Sequence, residues 1–402
     1  MIQKIYRGWW VLLGLSLVYI GSNGYGIYTI PLFYPSISEE LSLSKGLITQ
    51  APSNMYLVLA LFSPFCGWLL DRFAPRLILG IAAFLMALLF VFFPYIASFE
   101  QLKIYYVFFG IALSLGGVIP SVYLISRWFE KRRGLALGIF LNASSLGATL
   151  ISKPTGHLLE SEGWSVAATY VGLPIVLLIL LAQLLLKNRP SSSEIEGELV
   201  PKLSSSSEVK LKDVLRQNTF YTLLMATAVL WFCINAILFN KDLFLSDLSL
   251  KPSETASFAT LFFFCSIVGK LIFGYISDKI QKKAAMLGSV VVLGLGVFFL
   301  KLCLQHSSLL PLAAIILGMG YSGAFTMIQL LIAEHYAGKS FGLILGVFTM
   351  VDTLAGSIGI RAVGQLRAQT GSYNDAFLLM IILCITAILL ILVTTKRKVE
   401  YY

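Results

Sequence analysis

GWLLDRFAPR, residues 67–76, closes one apolar run, and GYISDKIQKK, residues 274–283, closes another 207 residues later. Aligned, Gly67-x-x-x-Asp71-Arg72 matches Gly274-x-x-x-Asp278-Lys279. A second pair of segments repeats at nearly the same offset. Gly110 opens a stretch that ends in Gly134-Leu-Ala-Leu-Gly138. Gly318, 208 residues on, opens one that ends in Gly342-Leu-Ile-Leu-Gly346, with 24 residues from the first glycine to the second in both. Two matches on different runs at one offset mark an internal duplication. The chain reads as two related halves.

Each half is built of apolar runs. Of 402 residues, 57% are hydrophobic and only 12% charged, whereas a soluble domain carries about 25% charged residues. A water-facing surface of ordinary size cannot be made from that supply, so lipid must be the solvent for most of the chain. A helix crosses hydrocarbon with roughly 20 apolar residues. Twelve runs of that length are found, near 9–34, 46–70, 77–98, 103–127, 134–158 and 164–187, then 218–240, 253–277, 284–304, 308–333, 341–365 and 374–395. The expected fold is an all-α integral membrane protein of twelve helices in two six-helix bundles, 1–187 and 216–402. Residues 188–215, rich in serine and charge, read as a cytoplasmic linker. The run from Trp9 is too long for a cleavable signal, and the Trp9-Trp10 pair is an interfacial belt.

Charge sets the expected orientation. With the N-terminus in the cytoplasm, 21 of the 30 lysines and arginines fall in cytoplasmic segments, including Arg72, Arg76, Arg132, Arg133, Lys282 and Lys283. That bias places both termini and the linker on the cytoplasmic side of a cell (inner or plasma) membrane. The net charge of +10 lies in short clusters between spans, which excludes a nucleic-acid stripe. All five cysteines sit in apolar stretches with no CxxC pair, and His157, His306 and His335 fall at span ends without ligand spacing, so no metal is expected. No catalytic triad, no phosphate loop and no HExxH occurs. The chain is read as a non-enzyme without a cofactor, whose energy comes from an ion or solute gradient.

Twelve spans, the two loops GWLLDRFAPR and GYISDKIQKK and the serine-rich linker resemble the major facilitator superfamily over essentially the whole chain. Ala74 and Pro75 stand where that family usually has glycine and a basic residue. The segment Arg127-Trp-Phe-Glu-Lys-Arg-Arg-Gly-Leu-Ala-Leu-Gly138, Tyr25-Gly-Ile-Tyr28 and Gly318-Met-Gly-Tyr321-Ser-Gly resemble the monocarboxylate transporters and the oxalate/formate antiporters. The resemblance implies a small carboxylate substrate and a cation in the eighth span, a position that Lys270 matches. The family lysines of the first and eleventh spans have no counterpart, since those positions fall near Thr29 and near Val351 or Asp352. What it implies is an organic anion in general.

The residues themselves support a site in the spans. An ionisable side chain in mid-span costs at least roughly 2.5–3.5 kcal/mol on insertion scales, which makes it a functional candidate. Lys270 lies about 12 Å of helix from Asp278, and Asp352 about 15 Å from Gly342, at similar depth. The expectation is that they pair in the empty carrier, and that protonating Asp352 frees Lys270 for a substrate carboxylate. Tyr25, Tyr28, Asn54, Tyr123, Asn142 and Asn235, with Tyr321, Phe325 and Gln329 on one helical face, are further substrate candidates. Lys153 and Arg361, 208 apart, snorkel at the outer interface. For the gating loops, Gly67 and Gly274 are expected to let neighbouring helices approach closely. Asp71 and Asp278, beside Arg72, Arg76 and Lys279, are expected to latch the cytoplasmic face.

At the repeat offsets Lys270 corresponds to Ser63 and Asp352 to Ser144, so the chemistry is expected in the second half. The partners expected are a small carboxylate, a proton or counter-anion, and the bilayer, with the protein a monomer. A carrier of neutral or amphipathic compounds is the alternative, marked by a dispensable Lys270. A non-transporting membrane receptor is the alternative from another class.

Overall fold

Among the described residues of the computed structural model, twelve helices are long and apolar enough to cross a membrane: Arg7–Glu40, Lys45–Leu70, Pro75–Tyr95, Phe99–Trp128, Arg133–Glu162, Trp164–Ala182, Asn218–Asp247, Pro252–Lys279, Lys282–Leu302, Ser307–Tyr336, Ile344–Thr370 and Asn374–Val393. They are numbered here as spans in that order. The structure describes residues 6–129, 132–189, 214, 216–336 and 341–394, without the side chains of Asp71 and of 341–343. Most of the expected linker and the C-terminal cations therefore lie outside the described residues. No strand occurs among the described residues. In hydrocarbon every backbone N–H and C=O must be satisfied within the chain, and a helix does this segment by segment. The outward faces are apolar as that solvent requires: Leu61, Phe84 and Leu184 are 67%, 66% and 72% exposed.

The first span is not one regular helix. An α-helix over Arg7–Tyr19 passes into a π-helix over Ile20–Thr29, a 3₁₀ turn over Ile30–Phe33 and a last α segment, Tyr34–Glu40. Pro31 has no N–H to give to the helical ladder. The Thr29 hydroxyl donates to the Gly24 carbonyl five residues back, at 2.8 Å. Gly24 also lets this stretch lie on the fifth span, because a Cβ there would stand 3.0 Å from the Ser144 carbonyl oxygen.

The chain divides into two compact units. One comprises Met1–Leu43, Asn54–Lys202 and Ser249–Thr260; the other comprises Ser44–Ser53, Leu203–Leu248 and Leu261–Tyr402. The duplication is visible inside each. In the first unit a Cβ on Gly110 would meet the Met55 carbonyl oxygen at 2.6 Å, and in the second a Cβ on Gly318 would meet that of Phe262 at 2.3 Å. Met55 and Phe262 are themselves 207 apart. The same close contact is thus made twice.

Two expectations are corrected. Among the described residues a Cβ on Gly67 or Gly274 would have nothing within 4 Å, whereas Gly110 and Gly318 are the glycines that lie against a neighbouring helix. The seventh span does not stop at residue 240 but continues as helix to Asp247. Lys241 and Asp242, just beyond the expected end, are therefore part of a spanning helix.

Candidate functional site

In the second unit Lys270 is 8% exposed, with its Nζ 5.9 Å from the ring centre of Phe325. Phe325 in turn meets Trp231 edge-on, with ring centres 5.7 Å apart. A cation over aromatic faces gains from their negative quadrupole, most when water is excluded. The Trp231 indole N–H and the Asn235 amide oxygen are buried without a hydrogen-bond partner among the described residues. The Asn235 amide N–H₂ donates to the Trp231 carbonyl at 2.9 Å. Tyr321 is buried against the Phe262 ring, and Gln329, two turns further on, is half-buried. Lys270, Phe325, Trp231 and Asn235 thus form a polar and aromatic patch on the eighth, tenth and seventh spans.

Asp352 is 2% exposed, and its Oδ1 accepts a hydrogen bond from the Thr227 hydroxyl at 2.8 Å. The expected pair with Lys270 is not formed: among the described residues no ion pair joins them. The reason is direction, not depth. The eleventh span turns Asp352 and Gly356 toward the seventh, where a Cβ on Gly356 would meet the Asn235 amide at 2.7 Å. At the repeat offset of 208, Thr227 and Asp352 correspond to Tyr19 and Ser144, and there the Ser144 hydroxyl donates to the Leu141 carbonyl of its own helix at 3.2 Å.

The first-unit candidates fall into different surroundings. Tyr25 is fully buried, its hydroxyl donating to the Ala168 carbonyl at 3.4 Å and its ring edge-on to Phe90, so it packs the core of the unit. Tyr28 is 6% exposed, and Asn54 is half-buried. The Tyr123 hydroxyl accepts from Arg127, whose guanidinium carbon lies 4.3 Å from the Tyr123 ring centre. The Asn142 amide donates to the Gly138 carbonyl at 3.0 Å, leaving its oxygen buried without a partner among the described residues.

No ion pair joins the gating loops among the described residues. Asp278 is exposed and makes no ion pair among the described residues, while Lys279 lies 5.5 Å from the Tyr275 ring centre. Arg72 stacks on Trp68 at 4.2 Å, and the side chain of Asp71 lies outside the description.

One buried charge pair was missed by sequence reasoning. Lys241 Nζ lies 2.6 Å from Asp242 Oδ2, and both side chains are wholly buried. The same ammonium is 5.6 Å from the Phe263 ring centre. The only signal was the placing of two adjacent charges at the end of an apolar run, which is also how a loop begins. No group of three potential metal ligands occurs among the described residues.

The family model of the Major Facilitator Superfamily matches residues 13–248 and 223–401. An uncharacterized MFS-type transporter, YcxA, of Bacillus subtilis (strain 168) is 26% identical, covering 94% of this chain and 91% of its own. Monocarboxylate transporter 13 of Bos taurus is 24% identical over 92% of this chain and 85% of its own, and the hexuronate transporter of Bacillus subtilis (strain 168) 22% over 86% and 85%. Among solved structures, a bacterial homolog of the human lysosomal transporter Spinster, inward-facing and occupied, superposes with a TM-score of 0.75 at 16% identity. It covers 98% of this chain and 97% of its own. With the duplicated six-span halves and a family match over nearly the whole length, the chain belongs to the major facilitator superfamily of membrane transporters.

Proposed function

We propose that this transporter carries small organic anions of the monocarboxylate kind by alternating access, in proton symport or in anion exchange. The observation that carries this reading is Lys270, an ammonium buried in a spanning helix over the ring of Phe325. A charge placed in a spanning helix is costly, which marks it as functional, and an ammonium binds a carboxylate by charge-assisted hydrogen bonds. Relatives named for monocarboxylates and for hexuronate, itself a carboxylate, support the same class. Asp352, with its Thr227 hydrogen bond, is the residue proposed to take the proton. The lysine and arginine bias supports a cell-membrane protein with both termini in the cytoplasm.

The test is a thermal-shift screen of purified protein with carboxylates of one to six carbons at two pH values, followed by uptake in proteoliposomes. A carboxylate at a hundred times its Kd adds about 2.7 kcal/mol to the stability of the folded state. The expected result is stabilisation by one carboxylate class, lost in Lys270→Ala. Asp352→Asn is expected to bind that carboxylate but to lose the pH dependence of uptake. A shift only with neutral solutes, or full pH-dependent uptake by Lys270→Ala, overturns the anion reading in favour of a carrier of neutral or amphipathic compounds.

A further inference from the structure

At the start of the third span the first unit has an open furrow of about 540 Å³, lined by Ala74, Arg76, Leu77, Gly80, Ile81, Phe84 and Asn188. Its floor is apolar. Leu77, Ile81 and Phe84 share one face of the helix and are 54%, 53% and 66% exposed, and Gly80 leaves a notch between them, with nothing within 4 Å of a Cβ built there. Its head is cationic. Arg76 is exposed and forms no ion pair among the described residues, and Lys187 and Arg189 flank Asn188. The Asn188 side-chain oxygen accepts from the Arg76 backbone N–H at 2.9 Å, so the amide N–H₂ remains as a donor at the same end. The furrow also begins at the N-terminus of a helix starting at Pro75, the end of the helix dipole that favours an anion.

We propose that this furrow is a binding site for an anionic phospholipid. The phosphodiester is held by the Arg76 guanidinium and the Asn188 amide, and an acyl chain lies along Leu77, Ile81 and Phe84 across the Gly80 notch. The geometry favours lipid over a soluble anion because the cationic head runs directly into an apolar strip on the outward face of a spanning helix. A dissolved phosphate has no use for that strip. Basic residues just outside a span, beside a crevice between helices, are the usual setting for anionic headgroups. Lys187 and Arg189 add the same sign of charge and raise the preference for an anionic over a zwitterionic headgroup.

The test is native mass spectrometry of the full chain in detergent, titrated with dioleoyl phosphatidylglycerol and, separately, with dioleoyl phosphatidylcholine. Wild type is expected to take up phosphatidylglycerol in preference. Arg76→Gln is expected to lower that affinity about five-fold, the effect of one basic residue near an anionic surface, and to remove most of the preference. Gly80→Leu fills the notch without touching the core and is expected to weaken both lipids while leaving the melting temperature unchanged. Lys301→Gln, which removes the same charge from the ninth span, is expected to leave lipid binding as it was. Equal binding of the two lipids to wild type, an equal loss in Lys301→Gln, or unchanged binding in both Arg76→Gln and Gly80→Leu overturns the proposal. So does full competition by glycerol 3-phosphate, which has the headgroup and no acyl chain.

Discussion

Lys241 and Asp242 are neighbours on one helix, and neighbours on a helix point about 100° apart. Their ammonium and carboxylate nevertheless meet at 2.6 Å with no exposure of either side chain, while Asp242 Oδ1 is left without a partner among the described residues. Desolvating two charges is expensive, and their attraction returns it only while both are present. Asp242→Ala or Lys241→Ala alone is therefore expected to destabilise the protein by about 3–5 kcal/mol. The double replacement Lys241→Met/Asp242→Leu is expected to recover most of that loss. Unfolding of the purified variants in detergent checks it; equal damage in single and double variants means that the pair itself is not what matters. Lys270 and Asp352 were legible because each interrupts an apolar run. Their partners were not, since counting residues gives depth along a helix and not the direction in which a side chain leaves it. Asp352 faces Thr227 for that reason.

At the scale of elements, hydropathy alone located all twelve spans, because the cost of a polar group in hydrocarbon leaves few sequences that fit. The interior of a span is less legible. In the sequence the first span reads as one run, because a π-turn has no composition of its own and becomes visible only in the hydrogen bonds of Ile20–Thr29. Glycines likewise do not announce which of them are packed. The structure divides them: Gly110 and Gly318 lie against carbonyl oxygens of the second and eighth spans, whereas Gly67 and Gly274 meet nothing. Gly110→Ala and Gly318→Ala are expected to cost about 1–3 kcal/mol each, as overpacking does. Gly67→Ala and Gly274→Ala are expected to be neutral or to gain up to about 1 kcal/mol, because alanine is the better helix former. Melting temperatures of the four variants check both halves of the repeat at once. A loss at Gly67 or Gly274 as large as that at Gly318 contradicts the division.

At the scale of the molecule, the duplicated halves and their membrane setting were legible from two loops and a composition. How the packing distributes the chain was not. Residues Ser44–Ser53 precede most of the first six spans in sequence but pack in the second compact unit. Asp247 there binds Lys45 and Arg367 together, and the Lys45 ammonium also donates to the Leu243 carbonyl at 3.0 Å, near the C-terminal end of the seventh span. Further along, the Ser53 and Ser357 hydroxyls lie 3.1 Å apart, each also donating to the backbone carbonyl of the other residue. Contacts that join a segment of one sequence half to spans of the other must break if transport proceeds by rocking the halves. Ser53→Cys with Ser357→Cys places two thiols at a separation suited to a disulfide. Oxidation is expected to abolish uptake, and reduction to restore it, with each single variant insensitive to both. Positions 53 and 357 are buried like the five native cysteines, so peptide mapping after oxidation is what identifies the bridged pair. Full uptake by the cross-linked protein, with the disulfide verified by mass, means that Ser44–Ser53 stays on the eleventh span throughout the cycle and that movement takes place elsewhere.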